Sequence, residues 1–134
     1  MRLLLDTNIF LEVILDQERA REARALLSKV ERHEFFISDY SLHSIGLLLF
    51  RRGQDEVFRQ FLEDMILGVG VAVIGLSAQR MKAIIQVARR FGLDFDDAYQ
   101  YVVAEHYGLA IVSFDSDFDR TERGRKTPKD VLEE

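Results

Sequence analysis

Apolar residues along this chain alternate between two kinds of run. Short, uninterrupted ones read as buried strands, and longer ones spaced three or four apart read as helix faces. Leu3-Leu4-Leu5 is the first short run and stops at Asp6. Thr7-Asn8 then offers a cap-like start to a helix carrying Ile9, Phe10, Val13 and Ile14. Asp16 is placed to cap a second helix, Glu18 to about Val30, with its stripe at Ala20, Ala23, Leu26, Leu27 and Val30. Phe35-Phe36-Ile37 is a second strand ending at the cap Ser38-Asp39. The helix from Tyr40 to Arg52 is apolar on most sides, as in a largely buried helix, and Gly53 ends it.

Gln54 to Leu67 predicts a fourth helix and the β-branched stretch Val69 to Leu76 a third strand. Ser77 caps a helix over Ala78 to Arg90, closed by Phe91-Gly92. The next runs from Asp94 to Tyr107 and is closed by Gly108. Leu109 to Val112 is a fourth strand, Asp119 to Thr127 a polar and mobile loop, and Pro128 opens a last helical turn. Strands separated by helices imply a mainly parallel sheet covered on both faces, with any ligand crevice beyond the carboxyl ends of the strands. The expected core is Leu3, Leu5, Phe36, Ile37, Leu42, Ile45, Val71, Val73, Ile84, Val102, Leu109 and Ile111.

Composition narrows the class. A chain of 134 residues, 48% hydrophobic and 31% charged, suits one globular domain over residues 1–134, with no linker or repeat. There is no cysteine, which excludes disulfides, thiolate metal sites and thiol nucleophiles. No apolar run is long enough to span a bilayer, and Asp6 interrupts the N-terminal leucines before a signal-peptide core develops. A soluble, cytoplasmic protein without a membrane partner is therefore expected. The net charge of −5 argues against general coating of nucleic acid. It leaves room for an acidic pocket that holds a cation, which then meets phosphate.

The acidic residues fall where such a pocket would form. Asp6 follows the first strand, Asp115 and Asp117 follow the fourth, and Asp94, Asp96 and Asp97 open the helix just before it. Carboxylates packed together repel, so a shared site is best explained by a bound cation, and oxygen-only ligands favour Mg²⁺ or Mn²⁺. Each also has a plain structural reading. Asp6 suits a helix cap, and Asp94 and Asp96 suit the positive end of a helix dipole. Asp97 lies one step further in, which fits simple capping less well, and Asp119 reads as a solvated loop residue.

Taken together, the motifs resemble a known family. Leu3-Leu4-Leu5-Asp6-Thr7-Asn8 is similar to the opening signature of PIN domains, a hydrophobic strand followed by Asp-Thr-Asn or Asp-Thr-Ser. The run from Asp97 to Ala104 resembles their Asp-Ala helix, and Ile111 to Phe118 their strand followed by Thr-x-Asp-x-Asp-Phe. Thr127-Pro128-Lys129-Asp130 is similar to their usual ending. The match keeps order and spacing nearly end to end. The resemblance implies an α/β protein of three α/β/α layers with a mainly parallel sheet of four or five strands. It also implies metal-dependent cleavage of RNA, as in the VapC-type toxins of toxin–antitoxin pairs, with an antitoxin partner and a homodimer.

By the same resemblance, Asp6, Asp97 and Asp115 would be the catalytic, metal-binding carboxylates and Asp117 a further ligand or an orienting group. Thr7, Asn8 and Ser113 would be accessory. One position departs from the family. Ser38 to Ile45 follows a Ser-x-x-x-Leu-x-Glu-Leu pattern with Ser44 where the family has glutamate. A serine hydroxyl is neutral and shorter, and would hold a cation weakly or through water. Neighbouring His43 is a candidate to compensate, although adjacent helical residues point about 100° apart. An imidazole buried in the core or in an interface is its plainer role.

Among the cations, Arg120, Arg123, Arg125 and Lys126 follow Asp115 and Asp117 directly and are the candidates for steering RNA phosphates. The pairs Arg51-Arg52 and Arg89-Arg90 suit helix C-termini. Two other functions stay in view. One is a PIN-like module that grips RNA or protein without cutting, favoured by Ser44. The other is a phosphoaspartyl hydrolase with Asp6 as nucleophile, disfavoured by Asn8, where those enzymes carry aspartate. No Gly-x-x-x-x-Gly-Lys run exists, which excludes a phosphate-loop enzyme.

Overall fold

The computed structural model describes residues 1–134. Four strands, β1 (Arg2–Leu5), β2 (Glu34–Ser38), β3 (Ala72–Ile74) and β4 (Ala110–Val112), form one sheet in the order β3-β2-β1-β4. Every pairing is parallel, with Leu4 opposite both Phe36 and Ile111. Seven α-helices connect and follow the strands: α1 (Thr7–Ile14), α2 (Ala20–Leu27), α3 (Asp39–Arg51), α4 (Asp55–Phe61), α5 (Ala78–Phe91), α6 (Phe95–Tyr107) and α7 (Pro128–Leu132). The sheet therefore has four strands, the lower of the two numbers expected.

Side-chain alternation along the strands divides the interior into two cores. Leu3, Leu5, Phe35, Ile37 and Val112 point to one face, where they meet Ile9 and Phe10 of α1, Ala23 and Leu26 of α2, Ile45 and Leu49 of α3, Phe61 of α4 and Val131 of α7. Leu4, Phe36 and Ile111 point to the other face and meet Ile84 of α5 and Ala98 to Ala104 of α6. These are the three layers that a period-two strand pattern between helices demands. The connections from β1 through β2 to β3 run outward on one face, and the return through α5 and α6 to β4 runs on the other. The winding direction reverses between β1 and β4, and the crevice beyond their carboxyl ends is the topological switch point, where ligands bind in open α/β sheets.

Local chemistry sets most boundaries. Ser38 and Ser77 cap α3 and α5 by accepting the N–H groups of Ser41 and Arg80. Thr127 and Asp130 close a reciprocal capping box at α7, with Pro128 at its first position. Gly92 and Gly108 end α5 and α6 in the left-handed conformation that glycine adopts without a Cβ penalty.

Several expectations are corrected. Of the expected core, Phe36 and Leu42 are half-buried and Val73 is 43% exposed, because β3 lies at the sheet edge. Asp16 does not cap α2. It adopts φ 49° in the turn before the helix and pairs with Arg24 at 2.9 Å. The fourth helix does not stay α-helical, since α4 passes into a π-helix at Leu62–Val69 before Gly70 turns the chain. The segment before α7 is pinned rather than free. Lys126 N–H donates to Ile111 O at 2.8 Å and Ser113 N–H to Lys126 O at 3.0 Å, so Lys126 continues the sheet beside Val112.

The turn after β3 packs tightly on the start of α3. Asp39 accepts from the Tyr99 hydroxyl at 2.6 Å and from Tyr40 N–H at 2.8 Å, and a Cβ on Gly75 would stand 2.7 Å from Asp39 Cγ. Gly75→Ala is expected to destabilise the fold by about 1–3 kcal/mol in urea unfolding. Adding Tyr99→Phe, which frees the Asp39 side chain to move, is expected to recover part of that loss.

Candidate metal centre

Each end of the switch point delivers an acid by a different local device. Asp6 is the first residue after β1 and the N-cap of α1, its Oδ1 accepting Thr7 N–H at 2.9 Å. After β4, Ser113 Oγ accepts Asp115 N–H at 2.9 Å, and Asp115 Oδ1 accepts Asp117 N–H at 2.8 Å. The Ser-x-Asp-x-Asp spacing thus folds on itself into the 3₁₀ turn Ser116–Arg120. Asp97 stands in the first turn of α6, where the helix dipole favours negative charge.

Carboxylate oxygens of Asp97, Asp115 and Asp117 lie within 4.8 Å of one another, with Asp97 buried and the other two half-buried. Asp6 lines the same cavity of about 210 Å³ with Thr7, Asn8, Tyr40, Ser44, Asp96, Asp97, Gln100 and Asp115. The fold therefore brings together Asp6, Asp97, Asp115 and Asp117, together with Thr7, Asn8, Ser44 and Ser113.

Asp6 is 7% exposed and saturated with donors. Oδ2 accepts Ser113 Oγ at 2.6 Å and Asn8 Nδ2 at 3.4 Å, and Oδ1 accepts Gln100 Nε2 at 2.9 Å in addition to Thr7 N–H. Burial still pushes its carboxyl above the usual range. The hydrogen bonds oppose that shift and the Asp115 charge adds to it. Asn8 also donates to Ser113 Oγ at 3.2 Å and accepts Phe114 N–H at 3.2 Å, which staples the loop after β4 to α1.

Asp97 is pushed up to about 8, first by burial, then by the charges of Asp115, Asp96 and Asp6 and by its hydrogen bond with Asp115. An all-oxygen donor set at this spacing, with one member held protonated at neutral pH beside its neighbours, fits a hard divalent cation, which would restore the ionised form. A buried acceptor without a donor, Gln100 Oε1, stands in the wall of the same cavity.

The remaining candidates are placed differently. His43 is exposed and lines a separate apolar groove with Leu42, Gly46, Leu47, Phe50 and Phe58, so it does not compensate for Ser44. The basic loop is largely occupied by internal partners. Arg120 pairs with Asp117 at 3.6 Å, Arg125 with Asp119 at 3.1 Å, and Lys126 with Glu134. Arg123 donates to Leu109 O at 2.9 Å, at the amino end of β4 and away from the acids.

Several contributors lie outside the residues picked from the sequence. Gln100 Nε2 bridges Asp6 to Ser41 Oγ at 2.7 Å, and Ser41 accepts Thr7 Oγ1 at 2.8 Å. Gln100 falls three residues after Asp97 on α6 and Ser41 three after the Ser38 cap, and that spacing is their only signal in the sequence. Asp96, read as a dipole residue, lines the cavity as well. Arg19 stands 4.9 Å over the ring of Phe114, the residue before Asp115, and forms no ion pair.

Residues 3–124 match the family model described as PIN domain. The chain belongs to the PIN domain family. The three-layer architecture expected from the resemblance is thereby shown. Among curated proteins none matches the chain. Solved PIN-fold structures do. A toxin–antitoxin complex from Klebsiella pneumoniae aligns at TM-score 0.71 and 21% identity over 94% of this chain and 97% of that one. The Mycobacterium tuberculosis toxin VapC20, which cleaves the sarcin–ricin loop, aligns at 0.72 and 20% identity over 87% and 92%. VapBC2 of Rickettsia felis, bound to a DNA fragment from its promoter, aligns at 0.73 and 16% identity over 94% and 97%. At these identities the likeness concerns the fold.

The raised Asp97 carboxyl makes stability depend on pH in a defined direction. Its folded value lies above its ordinary 3.8, so the unfolded chain releases that proton first. The stability contributed by this one group is full below 3.8 and is lost as pH rises through about 8. Without divalent cation, Tm is expected to fall from about pH 5 to about pH 8, by roughly 3 °C for each kcal/mol lost. Asp97→Asn is expected to flatten the fall, and millimolar Mn²⁺ to reverse it in the natural protein. A profile that Asp97→Asn leaves unchanged would remove this account of the pocket.

Proposed function

We propose that this PIN domain is a metal-dependent endoribonuclease that hydrolyses RNA phosphodiester bonds, acting as the toxin of a toxin–antitoxin pair. The observation that carries the reading is the meeting of Asp97, Asp115 and Asp117 within 4.8 Å beside Asp6 at the switch point. The toxin and toxin–antitoxin identities of its structural neighbours support the biological setting and a protein antitoxin as partner.

In this reading Asp6, Asp97, Asp115 and Asp117 would hold Mg²⁺ or Mn²⁺, the cations suited to an all-oxygen site. The bound ion would supply an activated water and offset charge developing on the phosphodiester. The chain's own residues prepare that chemistry. Ser113, Asn8, Gln100 and Thr7 N–H fix the Asp6 carboxylate, so that little rearrangement is needed when charge develops. Asn8 also holds the loop that carries Asp115. Arg19, stacked on Phe114 without an acidic partner, is the better candidate for an RNA phosphate than Arg123 or the paired Arg120, Arg125 and Lys126.

We further infer that residues 1–134 act as one domain, in the cytoplasm and as a homodimer. Two cores sharing one sheet support the first, and no helix is long and apolar enough to cross a membrane. Leu47 and Phe50 of α3, exposed at 58% and 63%, support an association surface. A second reading, a PIN module that binds RNA or protein but cuts weakly, is favoured by Ser44, which lines the acidic cavity as a neutral hydroxyl where the family pattern has glutamate.

Purified, metal-replenished protein is expected to cut defined RNAs in Mg²⁺ or Mn²⁺, and Asp6→Asn and Asp115→Asn to lower the rate more than about a hundredfold. Identical residual cutting in all three would mean a contaminating nuclease. Titration calorimetry is expected to give Mn²⁺ heats that Asp97→Asn abolishes. No such heat in the natural protein would sink the nuclease reading. Ser44→Glu is expected to tighten Mn²⁺ binding, and a rate that rises with it would favour the weakened module over the fully active enzyme.

A further inference from the structure

Phe95 is the first residue of α6, one before Asp96 and two before Asp97, yet 53% of it is exposed. The ring is held by its neighbours. Its centroid is 6.0 Å from that of Tyr40, edge-on at 65°, and 6.0 Å from that of Tyr99, with Tyr40 and Tyr99 themselves 5.9 Å apart. Tyr99 is anchored at its hydroxyl, which donates to Asp39 at 2.6 Å and accepts Leu76 N–H at 3.2 Å. Tyr40 continues the cluster into the acidic cavity, whose wall it shares with Asp6, Asp97 and Asp115. Tyr40 therefore joins the exposed Phe95 ring to the acidic cavity, with the buried Tyr99 packed behind both.

The chemistry around that ring selects its occupant. Asp94 and Asp96 flank it in sequence, and both are exposed. Their charge repels a phosphate but not a neutral base, so the base of a nucleotide can approach where its backbone cannot. A flat apolar ring held in place is the surface on which unpaired bases of single-stranded RNA stack, whereas bases inside an A-form duplex have no free face to offer. We propose that Phe95, backed by Tyr40, stacks an unpaired base of the bound RNA beside the acidic cavity. The proposal rests on the ribonuclease reading above and adds a residue that grips the substrate outside the cluster of acids.

The test measures binding without cleavage, in an Asp115→Asn background, by fluorescence anisotropy of labelled RNAs. Phe95→Leu keeps apolar volume and helix propensity but loses the aromatic face, and Phe95→Trp keeps that face. Phe95→Leu is expected to weaken binding of a single strand about tenfold, Phe95→Trp to restore it, and neither to change binding of a blunt duplex. Removing one base at a time from the strand is expected to find a position whose loss weakens the Phe95 protein about tenfold and leaves Phe95→Leu indifferent. Equal single-strand binding by the Phe95 protein and Phe95→Leu overturns the stacking proposal and leaves the ribonuclease reading standing. Failure of the natural protein, with Asp115 in place, to bind or cut any RNA overturns that reading and this one with it. A change of oligomeric state in Phe95→Leu, read by sedimentation, would show the ring to be a contact between copies and also overturns the proposal.

Discussion

Carboxylates crowded into one pocket repel one another, and the structure around the switch point is arranged to tolerate that repulsion. The two buried acids do so differently. Asp6 keeps its position because four donors from three parts of the chain converge on it. Asp97 has no comparable set. Burial first, and then the charges of Asp115, Asp96 and Asp6, push it up to about 8, a value at which the acid carries its proton at neutral pH. The strain is electrostatic, and the natural relief for an oxygen-only cluster is a cation. Folding thus gathers into one pocket a density of carboxylates that no single aspartate presents in isolation.

The sheet makes that arrangement possible. β1 and β4 are neighbours although about a hundred residues separate them in the chain, and both point their carboxyl ends at the same crevice. β1 leads to helices on one face and β4 is reached from helices on the other, so no connection covers the gap between them. The two cores on either side hold the strand ends in place, leaving the site-bearing segments short. Asp6 is one residue from its strand and Asp115 three from its own. Short tethers on a rigid sheet give positional precision that a longer loop would not.

A layer of neutral polar side chains lies beneath the acids. Thr7, Ser38, Ser41 and Gln100 link α1, β2, α3 and α6 through hydroxyl and amide contacts. This layer and Ser44 give the pocket floor a neutral polar character, and the acids whose oxygens approach within 4.8 Å of one another are Asp97, Asp115 and Asp117. The basic residues after β4 serve mainly to tie the chain down. Arg125 donates to Ser113 O at 3.1 Å while pairing with Asp119, which braces the end of β4 from outside.

The sequence by itself determined most of the strands and helices, the parallel α/β class and which acids stand at the strand ends and helix entry that face the crevice. Each of these is written locally, in apolar periodicity, in caps such as Ser38, Ser77 and Thr127, and in short motifs around Asp6, Asp97 and Asp115. Edge exposure of Val73, the π-helical end of the fourth helix and the pairing of Asp16 with Arg24 were not legible, because they depend on what packs alongside. The same holds for the partners of Arg120, Arg125 and Lys126, since a cation's availability depends on which acids folding brings near it. Gln100 shows the division most clearly: in the chain it is one polar residue on a mostly apolar helix. Only the tertiary structure decided that it meets Asp6 and Ser41 across the pocket, because such contacts join segments far apart in sequence and leave no periodic trace in it.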